Sequence, residues 1–584
     1  MSSDDPEKAF TLCDQRKRIL GGDGHMLVVG GPGSGKTTIA LLKARRRVLQ
    51  RLGPEQKVLF LSFSNSAIRR IMESAGGILT DVIADRVDIK TYHSFAWEIL
   101  TSHGYLTSSR RRLKIIPAQD AAVRSAGLSK EEWRAEQNRL YVEEGLVTYD
   151  QFAPRATELL KRSAVVCVCF SAAYPLILVD EFQDTDEDQW ALIQALSEQS
   201  EIIGLGDSEQ RIYEWRPGVS ETRLEDFREA LECERFDFAD ENNRSPATGI
   251  AGFARSLLTP GYEQDFPEEI AKQKFKPGRL AVQLHIAVRK TFREAKERSG
   301  KDRPIIAVAA RSKRLVRQIS DALTSSVTVN GKVLKALPHD VLIDQYQILL
   351  AARVIANIIS MTNLGRDERI AETLGRVADM LRSAANKTNI AASDKLHAWA
   401  EKCRAGKVPS TKCVAAVADV MDQLDKAGLT GSPTQDWVAI RRILEKADAE
   451  ELNKVADLAR YLRLLRRGSA IEQALIGLWV SQGSYRGAEA ALERAILQDQ
   501  LVDAHRDTAM VSVMNMHQLK GREYDAVVLV EDKYNTFLAQ DKTPPHGETR
   551  RLLQVALTRA RHYVIILSND GEDTFDFLLG NTES

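Results

Sequence analysis

The chain has little that would crosslink it or place it in a membrane. Its 584 residues include only 6 cysteines, and none of them form a Cys-x-x-Cys pair, so we expect reduced thiols rather than disulfides or zinc sites. No apolar run approaches the roughly 20 residues that cross a bilayer. The N-terminal segment lacks a basic-then-apolar leader. These absences predict a cytoplasmic protein without a membrane segment.

An excess of charge of one sign is also missing. Lysine and arginine number 81, and aspartate and glutamate number 81, so that the formal net charge is zero. A polyanionic ligand would therefore be held in a local groove, because no global field draws it in.

A glycine-rich phosphate-binding run stands near the start of the chain. Residues 25–29 read as a short buried strand and residues 36–49 as a helix, and Gly-Gly-Pro-Gly-Ser-Gly-Lys-Thr lies between them. In this strand-to-helix context the backbone amides converge on phosphate oxygens and the helix start adds its partial positive charge. The residues expected to bind nucleotide phosphates are Gly30, Gly33, Ser34, Gly35, Lys36 and Thr37. Lys36 can reach the β- and γ-phosphates, and Thr37 can ligate Mg²⁺.

Two adjacent carboxylates follow a second buried-strand pattern at residues 176–179. Ligands of open α/β sheets bind at the carboxyl ends of strands, where Asp180 and Glu181 would lie. Asp180 is expected to hold Mg²⁺, and Glu181 is expected to orient and deprotonate the attacking water. The acidic residues at 184, 186, 187 and 188 are interpreted as a solvated helix start.

Alternating strand and helix patterns predict an α/β fold with two doubly wound parallel sheets. The first sheet is expected to contain residues 58–61, 176–179 and 202–205 beside the strand at 25–29. For the second sheet we predict strands at 282–288, 305–309, 510–514, 526–530 and 563–567.

Several further motifs follow one another in a fixed order. They are Ser62-Phe63-Ser64-Asn65, Thr91-Tyr92-His93-Ser94-Phe95, Val179-Asp180-Glu181-Phe182-Gln183, Gly206-Asp207-Ser208-Glu209-Gln210, Asn242-Asn243-Arg244-Ser245, His517-Gln518-Leu519-Lys520-Gly521-Arg522-Glu523 and Val555-Ala556-Leu557-Thr558-Arg559-Ala560. Together with the phosphate loop, this series resembles the UvrD/Rep/PcrA helicases of superfamily 1. The resemblance implies two RecA-like P-loop cores with parallel sheets, each carrying a mostly helical insertion.

The resemblance also implies roles at the nucleotide. Gln210 is similar to the γ-phosphate sensor of the family. Arg244 and Arg559 resemble the two arginines that neutralise charge on the transferred phosphoryl group, for which a permanently charged guanidinium is suited. Gln15 would read the adenine, Thr38 would lie near it, and Glu523 would lie near the sugar or the γ-phosphate. Arg561 is interpreted instead as part of an ordinary basic helix face.

Single-stranded nucleic acid is held by stacking bases on aromatic side chains and by cations along its backbone. The resemblance assigns this contact to Phe63, Asn65, His93, Tyr213, Trp215, Arg216 and His517. Because Trp215 closely follows Gln210, one short segment can respond to both the nucleotide and the base.

The adenine pocket departs from the family pattern. Thr38 stands where an arginine is usual, and Asn243 replaces the tyrosine that stacks on adenine. Asn515 occupies the position of a usual threonine, and Gln554 that of a usual tyrosine. The phosphate residues are intact, so ATP with Mg²⁺ remains the expected fuel while strict ATP selectivity is in question.

The motif order divides the chain into six segments. They are a first RecA-like core at 1–95 and 173–238, a short helical insertion at 96–172, a second core at 239–340 and 505–584, and a helical insertion at 341–504.

The leading hypothesis is an ATP-dependent translocase on single-stranded DNA and a 3′-to-5′ helicase, acting on tailed duplexes in repair, recombination or defence. The alternative is a DNA-sensing ATPase that regulates a partner nuclease, for example against phage, without sustained unwinding. The short first insertion and the altered adenine pocket motivate this alternative. A small-molecule kinase would not account for Glu181, Gln210 and Arg559 in their order.

Overall fold

The computed structural model describes most of the chain. The described residues are 12–63, 65–108, 111–212, 218–238, 248–259, 265–276, 278–342, 345–361, 363–460, 470–502, 510–538, 541, 543–570 and 574–578.

The strands within this part of the chain have two to ten residues. In chain order they are β1 (Met26–Val29), β2 (Val58–Ser62), β3 (Val87–Thr91), β4 (Lys114–Ile115), β5 (Leu146–Val147), β6 (Leu176–Val179), β7 (Glu201–Gly206), β8 (Glu234–Asp237), β9 (Ile270–Phe275), β10 (Ile306–Ala310), β11 (Val327–Val329), β12 (Lys332–Leu334), β13 (Asp340–Leu342), β14 (Val511–Asn515), β15 (Tyr524–Val530) and β16 (Ala560–Asn569).

The helices occur between the strands and in two longer helical stretches. They are α1 (Asp14–Gly21), α2 (Lys36–Gln50), α3 (Asn65–Ala75), α4 (Asp81–Ala84), α5 (Tyr92–His103), α6 (Ala118–Ser125), α7 (Lys130–Arg139), α8 (Phe152–Arg162), α9 (Ala164–Ala173), α10 (Glu187–Ser197), α11 (Arg223–Ala230), α12 (Ile250–Ser256), α13 (Leu280–Ser299), α14 (Lys313–Thr324), α15 (Gln345–Ser360), α16 (Arg366–Arg382), α17 (Lys387–Arg404), α18 (Lys412–Ala427), α19 (Pro433–Glu445), α20 (Glu450–Ala459), α21 (Ala470–Gln482), α22 (Ala488–Val502), α23 (Gly547–Leu557) and α24 (Thr574–Leu578).

The first sheet is parallel throughout, in the order β3-β2-β6-β7-β1-β8. Its central strands β1, β2 and β6 are buried along their whole length, as expected of a parallel sheet covered on both faces. The edge strands β3 and β8 escaped the sequence analysis. Their sequences mix charged and apolar residues, because an edge strand is only partly covered.

The second sheet is also parallel, in the order β13-β14-β10-β15-β16-β9. The predicted α/β class with two parallel sheets is confirmed. The strand predicted at residues 282–288 is wrong, because this segment lies inside α13. Residues 282–286 alternate between apolar and polar side chains, but Leu284, Val288, Thr291 and Ala295 are buried at helical spacing along one face.

The chain forms two compact units. One comprises Met1–His103, Ala153–Ile343 and Ala504–Ser584 and contains both six-stranded sheets; the other comprises Gly104–Phe152 and Asp344–Asp503. The six-segment division given above stays a prediction. Among the helices that the structure describes, none is long and apolar enough to span a membrane.

The second unit is built around α15. This helix packs against α6, α16, α20 and α22, so it is buried nearly all round. Its one charged residue, Arg353, is 8% exposed and pairs with Asp120 at 2.5 Å and with Glu493 at 3.0 Å. A buried charge must be paired to be tolerated, and this pairing links the short first insertion to the longer second one.

Candidate functional site

The phosphate loop runs from the end of β1 to the start of α2. Gly33 and Gly35 adopt φ angles of 79° and 88°, a left-handed conformation that costs little only for glycine. The amide of Gly30 donates to the carbonyl of Gly206 at 3.1 Å, which fastens the loop to the end of β7.

Lys36 and Ser34 provide polar side-chain atoms at the predicted phosphate site. Lys36 Nζ donates to the carbonyls of Gly30 and, at 3.1 Å, of Gly31. Ser34 is buried, and its Oγ makes no hydrogen bond within the described part of the chain. A buried hydroxyl of this kind calls for a partner, and a phosphate oxygen would supply one. The loop therefore fits a nucleotide phosphate.

The two predicted catalytic carboxylates lie directly after β6. Asp180 is 2% exposed and its Oδ2 lies 3.0 Å from Nη2 of Arg70, a residue of α3. Glu181 adopts a left-handed backbone conformation with φ 53°, and its Oε2 accepts from Gln183 Nε2 at 2.7 Å. Arg70 also approaches Glu181, at 3.9 Å.

The electrostatics of the pair favour an ionised Glu181. Burial by itself would raise the pKa of Glu181, but Lys520, Arg70, Lys36 and Arg559 outweigh burial and hold this pKa at about 2. Burial raises the pKa of Asp180, and the negative charge of Glu181 adds to the rise while Arg70 and Lys36 oppose it. At neutral pH Glu181 is thus a carboxylate that can accept a proton from water.

The part of the chain that forms the second sheet contributes an arginine to the site of these carboxylates. Arg559, 1% exposed, lies between α23 and β16 and donates from Nη2 to Gln210 Oε1 at 2.5 Å. Its Nε donates to the carbonyl of Val555 at 3.0 Å, which orients the guanidinium. The predicted sensor and the predicted arginine therefore meet directly.

A cavity of about 620 Å³ lies between the phosphate loop and Arg559. Of the residues named from the sequence, it is lined by Gly33, Ser34, Gly35, Lys36, Thr37, Thr38, Asp180, Glu181, Gln210, Glu523 and Arg559. Thr37 and Asp180 supply the oxygen ligands that Mg²⁺ prefers, so both residues fit the predicted metal role. No cluster of three or more His, Cys, Asp or Glu residues suited to another metal ion occurs in the described ranges.

The cavity wall also contains residues that the sequence analysis did not place at the site. They are Arg70, Glu73, Ser74, Arg561 and His562. The interpretation of Arg561 as part of a basic helix face is wrong: it belongs to β16, and its Nη2 lies 2.8 Å from Glu523 Oε2. An arginine directly after the Thr-Arg-Ala motif could have been read as a strand residue, because the apolar run of β16 begins just beyond it.

Asp184 corrects another expectation. It was grouped with a solvated helix start, but its side chain is 0% exposed and its Oδ2 lies 2.5 Å from Lys520 Nζ. Asp186 does cap α10, accepting from the amide of Gln189 at 2.9 Å, and Glu187 is largely exposed.

The residue predicted to read the adenine lies away from the phosphate cavity. Gln15 is an exposed residue of α1 and stands outside the residues that line the cavity. Its neighbour Arg16 donates to the carbonyl of Ser34 at 3.0 Å and covers the ring of Phe238 at 4.8 Å. The structure therefore does not bring the predicted base reader to the phosphate site.

Asn515 and Gln554, which differ from the usual residues of the family, both have hydrogen-bond partners nearby. Asn515 caps the turn after β14, accepting from the amide of His517 at 3.0 Å, as a threonine also could. Gln554 is buried and donates to Glu209 Oε2 at 3.4 Å.

The predicted nucleic-acid residues are only partly described. Phe63 is half-buried, His93 is exposed, and Asn65 begins α3. His517 is half-buried, and burial together with Arg311 lowers its pKa to about 4. It is therefore neutral at pH 7 and would contact DNA through hydrogen bonding rather than charge. Tyr213, Trp215, Arg216 and the predicted catalytic Arg244 lie outside the described residues.

Two family models match the chain. One, described as an AAA domain, covers residues 20–216, and the other, described as a UvrD-like helicase C-terminal domain, covers residues 392–571.

Several curated proteins are similar to it. The ATP-dependent DNA helicase UvrD1 of Mycobacterium leprae is 22% identical over 94% of this chain and 81% of that protein. UvrD1 of Mycobacterium tuberculosis strain H37Rv is 22% identical over 96% and 83%. DNA helicase II of Salmonella typhimurium is 21% identical over 35% of this chain, which matches only 34% of the length of that relative.

Proposed function

We propose, on the premise that this chain belongs to the UvrD-like helicases of superfamily 1, that it is an ATP-driven motor which moves 3′ to 5′ along single-stranded DNA and separates the duplex ahead. ATP-dependent DNA helicase activity is the general activity of the family. The polarity and a role in repair, recombination or defence are the finer parts of the proposal.

The observation that carries the proposal is the hydrogen bond from Arg559 to Gln210, two residues that line the same cavity as the phosphate loop. A nucleotide in the cavity would touch strand ends of both sheets at once. Loss of the γ-phosphate would remove the anion that Gln210, Lys36 and Arg559 share. The distance between the sheets would then respond to hydrolysis, which is what a translocating motor requires.

The chemistry follows from the residues around the cavity. Glu181 takes a proton from the attacking water, while Lys36 and Arg559 offset charge that builds up on the transferred phosphoryl group. Thr37 and Asp180 would hold Mg²⁺, which neutralises phosphate charge when it is bound. Separating a base-pair step costs about 1.4 kcal/mol, so one step for each ATP is energetically reasonable.

The proposal is tested by measuring ATP hydrolysis with and without single-stranded DNA, and strand displacement on 3′-tailed and 5′-tailed duplexes under the same conditions. We expect strong stimulation by DNA and displacement of the 3′-tailed substrate alone. Displacement of only the 5′-tailed substrate would contradict the polarity.

A substitution at the proposed base tests the assignment of the chemistry. Glu181→Gln should lower DNA-stimulated kcat by at least about a hundredfold, because the water loses its proton acceptor, while ATP binding is retained. Glu198→Gln is the matched control, since Glu198 is an exposed carboxylate at the end of α10. Retention of hydrolysis by Glu181→Gln would remove Glu181 from the role of base.

The second candidate is a DNA-sensing ATPase that switches a partner nuclease. The short insertion predicted at residues 96–172, of which Gly104–Phe152 belongs to the second unit, favours it, because a short insertion offers a duplex little surface. Hydrolysis stimulated by DNA without displacement of either substrate would support this candidate over the motor.

A further inference from the structure

Two buried charged side chains join the strand ends of the two sheets. Lys520 follows the turn Met516–Leu519 after β14 of the second sheet, and Asp184 ends the turn Phe182–Asp184 after β6 of the first. Their Nζ and Oδ2 atoms are 2.5 Å apart, and the side chains are 4% and 0% exposed.

The same ammonium group contacts a second loop of the first sheet. Lys520 Nζ donates to the backbone carbonyl of Gln210, in the turn Ser208–Gln210 after β7. The side chain of Gln210 is held within its own loop, because its Nε2 donates to Asp207 Oδ2 at 2.6 Å. One lysine of the second sheet therefore contacts both loops that flank the proposed base.

This arrangement exists only while the two sheets are together. Separation would leave Asp184 buried without its cation or would expose it to water, and the carbonyl of Gln210 would lose its charged donor. Such buried pairs are costly to break by removing one partner and much less costly to remove as a pair. An ammonium with three donors is suited to holding two acceptors at once.

We propose that Lys520 is a positioning residue, which clamps the Asp184 and Gln210 loops against the second sheet and so sets the geometry of the γ-phosphate site. The inference rests on the proposed ATPase function of the same cavity. Lys520 does not line the cavity, so it acts through the two loops rather than on the nucleotide.

The experiment is a double-mutant cycle in the full-length protein with Lys520→Met, Asp184→Asn and the combined variant. Lys520→Arg tests rescue by a conservative change. Lys301→Met is the matched control. Lys301 pairs with the buried Asp525 at 2.7 Å, and both residues belong to the part of the chain that forms the second sheet, so this pair does not join the two sheets.

Hydrogen exchange is measured first, because it needs no turnover. Lys520→Met should speed exchange in the segments 182–184 and 208–212 by about tenfold or more, with little change in β1 or β10. Lys301→Met should leave both segments as in the wild type. Unchanged exchange in Lys520→Met would overturn the clamp whether or not the protein hydrolyses ATP.

Turnover is measured second. Each single variant should lower DNA-stimulated kcat by roughly 10- to 100-fold with KM for ATP within about threefold, and the double variant should be no worse than the poorer single one. Lys520→Arg should recover most of the rate. Losses that multiply in the double variant would overturn the inference. A wild-type protein without ATPase activity would instead refute the proposed function and leave the exchange result to decide the clamp.

Discussion

At the residue scale, the most informative finding is that Arg70 holds the proposed metal ligand. Its guanidinium lies 3.0 Å from Asp180 and 3.9 Å from Glu181. Neither motif spacing nor composition pointed to it, because Arg69 and Arg70 stand outside the motifs that the sequence shows. The helix α3 packs against β2 and β3, and only this packing shows which of the two arginines faces the carboxylates that follow β6.

We expect Arg70→Gln to change how the protein uses Mg²⁺. The Arg70 guanidinium pairs with Asp180 and would compete with a bound Mg²⁺ for this carboxylate, so the Mg²⁺ concentration for half-maximal hydrolysis should fall several-fold when the guanidinium is absent. DNA-stimulated kcat should fall by about tenfold, since one cation leaves the cavity.

A Mg²⁺ titration of the ATPase rate, with nucleotide affinity measured separately by calorimetry, checks this prediction. Arg134→Gln is the control, because Arg134 is an exposed arginine of α7. An unchanged Mg²⁺ dependence would mean that the ion pair does not compete with the metal.

At the scale of elements, α13 shows how a pattern can mislead. Residues 282–288 alternate apolar and other side chains over a few positions, which favoured a strand. Over the whole helix, however, the buried residues follow a period close to 3.6, and Gly300 ends it with φ 67°. The longer window gives the correct element because a helix can be recognised only over several turns.

Leu284→Ala should lower the free energy of unfolding by about 3 kcal/mol, because Leu284 is fully buried on the inner face of α13. Glu297→Ala, an exposed change on the same helix, should alter this free energy by less than about 0.5 kcal/mol. Urea denaturation followed by circular dichroism measures both. A small effect of Leu284→Ala would contradict the packing of this helix.

At the scale of the whole molecule, acid should destabilise the protein before it removes the catalytic charge. The pKa of His517 is about 4 in the folded state against 6.5 in the unfolded chain. Between these values the unfolded state binds the extra proton, so stability falls as the pH falls. Burial also lowers the pKa values of His25 and His562, which acts in the same direction.

We therefore expect the free energy of unfolding to be lower at pH 5.5 than at pH 7.5, with about 1 kcal/mol of the loss due to His517. Glu181, with a pKa of about 2, stays ionised across this range. Urea denaturation of the wild type and of His517→Gln at both pH values tests the assignment. An equal loss in the two proteins would show that His517 does not carry this effect.

The sequence by itself determined the class of the fold and predicted where the phosphate site lies. The phosphate loop and the pair Asp180 and Glu181 could be recognised because each depends on residues close together in the chain and on one neighbouring strand. The central strands could be recognised for the same reason, since strands buried on both faces are continuous apolar runs.

Only the tertiary structure decided which distant side chains meet. The pairings of Asp184 with Lys520 and of Arg561 with Glu523 depend on how strand ends from different parts of the chain are brought together. A charged residue looks solvated in a sequence, and it is buried only where a partner of opposite charge arrives from elsewhere. The sequence likewise suggested Gln15 as the base reader through the family resemblance. Only the packing of α1 decided that this side chain is exposed.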